Sequence, residues 1–235
     1  MRKIMPNARS QKNRKPRNTK KQRVEKKRVL IALEDTKSSK YYFEKLVQDK
    51  NLSGEVIFAK HIGTDPENVV KAIVSHLNGN KVRYEKKWVV IDKDDYLKKQ
   101  INGAIQTAMD LDICVAISNE AYELWILLHF TLITAHTSRD DLKKRLNIIF
   151  KKKFNIEYAK ASRDVYQFTV GLQKQAIINS KKLVNSYIRD NGKVTPFSDN
   201  PLTTVYQLVE YLNTLYDDNE CNDCFPKKQL TIYKL

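Results

Sequence analysis

The 235-residue sequence has only three cysteines, Cys114, Cys221 and Cys224. Three are too few for a disulfide framework. Cys221 and Cys224 have the CxxC spacing of half a zinc site, but no second Cys pair or His pair accompanies them, which argues against zinc. Cys114 sits in an apolar run and reads as core. Long apolar runs are also missing. The longest, residues 124–128, is far short of the about 20 residues needed to cross a bilayer. The N-terminus lacks the apolar h-region of a secretory signal. These absences point to a soluble, cytoplasmic protein with no membrane role. No GxGxxG or GxxxxGK[ST] loop follows an apolar run, so nucleotide binding through such loops has no support. There is no internal repeat.

Acids are scarce at the N-terminus. Residues 2–28 contain thirteen Lys and Arg and a single acid, Glu25. Thirty bases and 26 acids remain elsewhere, so the formal net charge of +16 resides mainly in this arm. Residues 1–27 have almost nothing to bury, which predicts a disordered basic arm. A phosphate backbone would attract it, with strong salt dependence. Arg14, Lys15, Arg17, Lys20, Lys21 and Arg23 are its candidate nucleic-acid contacts. An anionic surface or an acidic partner would attract it too, and a solubilising tail is the plainer reading.

What is present is a series of short apolar runs rich in β-branched residues. Residues 28–33 (RVLIAL), 55–60 (EVIFAK), 87–91 (KWVVI) and 113–117 (ICVAI) read as buried strands. Helices are predicted between them. One is capped by Ser38 or Ser39 and runs to about residue 48. The next opens with Asp65 as N-cap and Pro66 at the first helical position. A third covers residues 96–109. This alternation predicts an α/β fold with a parallel four-stranded sheet flanked by helices. A helix from about Glu120, capped by Ser118 or Asn119, follows the last strand. Further helices are predicted after Thr137 or Ser138, from Asp164 to Arg189, and from a start at residues 200–204. The division is then an α/β core at 28–130, a helical C-terminal extension packed on it at 131–216, and an irregular tail at 217–235.

The candidate chemistry lies at strand ends. Asp92, Lys93, Asp94 and Asp95 follow the third strand, and Glu34 follows the first. If those strands are neighbours, Glu34, Asp92 and Asp94 share one rim at the carboxyl ends, where open α/β sheets bind ligands. Two carboxylates about 4 Å apart repel by about 4 kcal/mol at an effective dielectric near 20. A divalent cation offsets that repulsion, and hard oxygen donors suit Mg²⁺ or Mn²⁺. A solvated Asp-rich turn is the bland alternative. Lys37, Lys40 and Lys93 are close in sequence and are candidates for holding phosphate. Glu123 shares an apolar helical face with Ile126, Leu127 and Phe130, and an acid there needs a partner. It reads either as a structural acid held by a lysine or backbone N–H groups, or as part of the cleft around Asp92. His129, one turn after Trp125, reads as a packed histidine, with catalysis as the second possibility.

An acid after the first strand and DxD after the third resemble the Toprim (topoisomerase–primase) domain. More specifically, LIALEDTKSSKYYFEKL, WVVIDKDD, ISNEAYELWILLHF and NPLTTVYQLVEYL resemble the RloB-like family, from about residue 29 to 215. The resemblance implies a Toprim-like sheet and a metal-dependent endonuclease acting on RNA or DNA. It makes Glu34 the metal ligand or acid/base and Asp92 and Asp94 the metal-binding pair. Glu123 and His129 match family positions without an assigned role. It also implies a setting in phage defence by abortive infection, with control by a partner ABC-type ATPase. The sequence departs from the family's usual first loop, close to EGxxTE: Asp35 replaces the glycine and Ser39 the second glutamate. The competing readings are a catalytically degenerate, nucleic-acid-binding or regulatory subunit and, less well supported, a DxD nucleotide-sugar transferase.

Overall fold

A computed structural model describes residues 27–215. The expectations for the arm up to residue 26, for the tail at 217–235, and for Cys221 and Cys224 lie outside the described residues. The chain runs β1 (Val29–Leu33), α1 (Ser38–Asp49), β2 (Val56–Phe58), α2 (Pro66–Gly79), β3 (Lys86–Asp92), α3 (Lys98–Asp110), β4 (Cys114–Asn119), α4 (Glu123–Leu128), α5 (Arg139–Phe154), α6 (Val165–Thr169), α7 (Gln173–Asn191), β5 (Leu202–Thr203) and α8 (Val205–Thr214). No helix among the described residues is long and apolar enough to cross a membrane.

The sheet order is β2-β1-β3-β4-β5. The first four strands are mutually parallel, and β5 pairs antiparallel with the end of β4. Alternate residues of each strand face opposite layers because a strand's side-chain period is two. Leu30, Ala32, Val89, Ile91, Val115 and Ile117 pack against α2 and α3. Val29, Ile31, Leu33, Trp88, Val90 and Ala116 pack against α1 and the helices after β4. Burial on both faces is why these strands read as continuous apolar runs rather than alternating ones.

The four-stranded expectation is therefore corrected to a mostly parallel five-stranded sheet. β5 is only two residues long, too short for a period to register, and it sits where the sequence signals a helix start. What makes it a strand is tertiary. The Thr204 hydroxyl accepts from the Ile117 N–H at 2.9 Å, and the Ser118 and Thr203 hydroxyls meet at 3.0 Å. The same pairing extends β4 through Asn119, so α4 starts three residues later than the expected Glu120. The helix expected from Asp164 to Arg189 is broken. Residues 170–172, with Gly171 at their centre, form a single 3₁₀ turn between α6 and α7; glycine costs about 1 kcal/mol relative to alanine inside an α-helix. Cys114, read as plain core, is half-buried at the start of β4.

Other local signals are realised. The Asp65 side chain accepts from the Glu67 N–H with Pro66 at the first helical position. Ser138 caps α5 by accepting from the Asp141 N–H. Gly192 ends α7 in the left-handed conformation, φ 69°.

Candidate functional site

Strand order places a crevice between β1 and β3. The chain leaves β1 for α1 on one face of the sheet and β3 for α3 on the other, which makes this the topological switch point. Leu33 pairs with Val90, and the Glu34 N–H donates to the Val90 carbonyl at 3.0 Å. Register alone thus sets Glu34 beside Asp92. The Asp92 backbone N–H donates to Glu34 Oε2 at 2.6 Å. Both side chains are buried, Glu34 7% exposed and Asp92 8%.

The loop after β3 is clamped by the extension of β4. The Lys93 N–H donates to the Ser118 carbonyl at 2.8 Å and the Asp94 N–H to the Glu120 carbonyl at 2.9 Å. Asp94 takes the left-handed conformation, φ 43°, which aspartate tolerates better than most residues. The Glu120 carboxylate accepts from the Arg139 N–H at 3.1 Å, and the Arg139 guanidinium pairs with Asp94. Asn119 Nδ2 donates to the carbonyls of Pro196 and Phe197. The Ser-Asn-Glu run therefore holds the acidic loop, the start of α5 and the 196–200 segment together.

Glu123, the first residue of α4, is completely buried. Neither of its carboxylate oxygens has a hydrogen-bond partner. Lys160 Nζ stands 3.5 Å from Oε1, close enough to pair charges but not aligned as a hydrogen bond. A lysine holds it, as one of the two sequence readings expects, and its charge acts on Asp92 and Asp94.

Glu34, Asp92 and Asp94 each feel the charge of neighbouring acids. Burial pushes the Glu34 carboxyl up to about 8, against the Asp92 N–H, which pulls it down; Asp94 and Asp35 add to the rise. Burial, then the charges of Glu34, Glu123 and Asp94, hold the Asp92 carboxyl well above the ordinary range. Burial also raises Asp94, partly offset by Arg139 and Lys160. Burial pulls the Lys160 ammonium down, but the charges of Glu123, Asp92, Asp35 and Asp94 outweigh it and its pKa rises.

The other predicted residues fall as follows. Asp35 turns into the start of α1. Its carboxylate accepts from the N–H groups of Lys37 and Ser39 and the hydroxyls of Ser38 and Ser39. Asp35 thus does the capping that the sequence reading gave to Ser38 or Ser39. Asp35→Ala is expected to lower stability by about 1–2 kcal/mol, the size of a lost N-cap, measured by urea unfolding. Lys37 is exposed beside this turn, Lys40 lies 3.8 Å from Glu44, and Lys93 Nζ stacks 5.3 Å from the Phe197 ring centroid. His129 is buried in the core. Its Nδ1 meets the Trp125 carbonyl at 2.9 Å and its Nε2 the Tyr42 hydroxyl at 3.5 Å. Burial lowers its pKa to about 4. These contacts are those of a packed histidine set apart from the carboxylates.

Sequence reasoning missed Arg139 and Lys160. Arg139 carried a usable signal, because a cation at the first position of a helix opposes the macrodipole and calls for another reason to be there. Lys160 carried none: it lies in an irregular loop and reaches Glu123 only through the tertiary fold.

Among the described residues, no three His, Cys, Asp or Glu side chains stand in position to close around a metal ion. The donors are nevertheless of the right kind for a hard cation: buried carboxylates on three separate elements, one with both oxygens unsatisfied. As they stand, Glu34 is turned to the Asp92 N–H and Asp94 to Arg139.

No curated protein and no solved structure matches the chain. A model of the family described as RloB-like protein does match, over residues 29–212. That span begins with β1, ends in α8 and contains all four acids, Arg139 and Lys160, so the chain belongs to the RloB-like family.

Proposed function

We propose that the crevice is the cation-dependent, phosphodiester-cleaving site of a Toprim-type nuclease. The observation that carries this is the meeting of buried Glu34 and Asp92 at the switch point of a mostly parallel sheet, with the charge of the buried Glu123 acting on Asp92. Such a cluster is costly without a counter-charge. Glu34, Asp92 and Glu123 would hold Mg²⁺ or Mn²⁺, with Asp94 at the lip. A bound divalent ion polarises the phosphodiester and lowers the pKa of attacking water. To hold the ion, Glu34 would give up the Asp92 N–H and Glu123 would part from Lys160. In the cation-free site Glu34, with its raised pKa, keeps its proton to near neutral pH, and it would release that proton when the cation binds. Arg139 and Lys160 flank the acids and would balance the charge of the substrate phosphate.

The family resemblance adds the setting: antiviral defence by abortive infection, with activity restrained by a partner ABC-type ATPase. The test is incubation of purified protein, alone and with its partner, with labelled RNA and DNA in Mg²⁺, Mn²⁺ or chelator. Cleavage should require the cation and be lost in Glu34→Gln. Cleavage that persists in Glu34→Gln would sink the assignment.

A second reading has its own support. Asp94 is committed to Arg139, and Ser39 stands where the resemblance expects a second acid. Both suit a degenerate site in a nucleic-acid-binding or regulatory subunit. In that case Glu34→Gln retains full biological activity and removal of residues 1–27 abolishes it.

A further inference from the structure

An open hollow of about 290 Å³ lies beside the acidic crevice, lined by Lys143, Lys144, Asn147, Glu157, Tyr158 and Lys160. It is built by α5 and the loop that follows it. The Tyr158 N–H donates to Asn147 Oδ1 at 3.2 Å, which folds the loop back against the helix. Its one acid, Glu157, is paired outward with Lys151 at 2.8 Å. Lys143 and Lys144 reach Asp140 and Asp141 only at 4.0 Å, on an exposed helix surface where such pairs contribute little. Two lysines of the hollow are therefore nearly uncompensated. The third, Lys160, belongs to both places: it lines the hollow and pairs with Glu123 of the crevice.

We propose that this hollow holds a backbone phosphate of a nucleic-acid strand, adjoining the phosphodiester presented to the carboxylates. Lys143 and Lys144 supply the charge, and the Asn147 and Tyr158 side chains form the wall. Lys160 is the counter-ion of Glu123 while the crevice holds no cation and turns to the strand when a cation takes its place. Cation and strand then favour each other's binding, because the cation frees an ammonium for the phosphate. The crevice's part in this rests on the nuclease reading; strand binding in the hollow can be measured without it.

The experiment is fluorescence anisotropy of a labelled single-stranded 12-mer with the full-length protein in chelator, so that no strand is cut, across a salt series. The double variant K143A/K144A should bind about tenfold more weakly, with the salt slope reduced by about 1, the share of one phosphate. The control K181A/K182A, on α7 outside the hollow, should bind as wild type does. Lys160→Gln should leave strand binding in chelator as it is in wild type, since Lys160 is then held by Glu123, and should shift the Mn²⁺-induced rise in melting temperature to lower Mn²⁺, since Glu123 is then free. Equal binding by K143A/K144A and wild type, or equal losses in K143A/K144A and K181A/K182A, overturns the hollow. A mononucleotide that binds as tightly as the 12-mer overturns its assignment to a strand. Loss of strand binding in K143A/K144A by a protein that cuts nothing supports the hollow and refutes the nuclease reading. Intact cleavage with unchanged binding does the reverse.

Discussion

Asp92→Asn is expected to lower cation-dependent cleavage by about a hundredfold or more and, in the same protein, to raise the melting temperature in chelator. The two effects have one cause. Asp92 is buried, and its neighbours Glu34, Glu123 and Asp94 all oppose its ionisation. Removing its charge relieves repulsion that the fold tolerates without cation. The gain should be a few degrees, at about 2–4 °C per kcal/mol for a chain of this size. The same change deletes a donor of the proposed cation site, and a hundredfold loss corresponds to about 2.7 kcal/mol of barrier. A purely structural Asp92 predicts the opposite pairing, with lower stability and unchanged cleavage. Differential scanning fluorimetry in chelator and in Mn²⁺, beside a cleavage time course, separates the two. Asp92→Asn should also lose most of the Mn²⁺-induced stabilisation seen in the unsubstituted protein.

The second large effect is on stability against pH. Glu34 has its folded pKa raised to about 8 from an ordinary 4.5, so the folded protein binds the proton more tightly than the unfolded chain. The stability this contributes is fully present below about pH 4.5 and is lost as pH rises through about 8. Asp92, raised as well, acts in the same direction. His129 acts in the opposite one. Its folded pKa is lowered to about 4, so its contribution is present above about pH 6.5 and is lost as pH falls through about 4. The two oppose each other between pH 4.5 and 6.5, which hides both. Above 6.5 His129 is neutral in both states, and the carboxylates alone set the slope. Between pH 6.5 and 8.5 the cation-free protein should therefore lose about 2 kcal/mol, or roughly 4–8 °C. Saturating Mn²⁺ should flatten that slope, because it holds the carboxylates ionised, and Glu34→Gln should reduce it in chelator. A melting temperature that stays level or climbs across this window would show that the acids are already compensated.

The sequence made the sheet and the crevice readable to different depths. The four parallel strands were legible because burial on both faces leaves unbroken apolar runs, and Glu34 and Asp92 were legible because each ends one of them. Their adjacency was only conditional, since it depends on β1 and β3 being neighbours, which no local signal states. Glu123 stood out as an acid on an apolar face, but its direction was decided by where α4 begins, and that start was misplaced by three residues. The misplacement has a single source in β5, whose pairing extends β4. Asp35 stands where the family pattern has glycine, and sequence alone did not show that its carboxylate would cap α1. Lys160 was invisible because its partner is 37 positions away in the chain.

The pairing of β5 with β4 has a consequence in time. Glu34, Asp92, Asp94 and Glu123 are all translated well before Thr203 and Thr204, which complete the bonding of Ile117 and Ser118. The segment that clamps the acidic loop is thus finished only when nearly the whole described chain has left the ribosome. A nascent or prematurely terminated polypeptide ending before residue 200 would possess Glu34, Asp92, Asp94 and Glu123 and lack the hydrogen bonds from Thr203 and Thr204 that complete their scaffold.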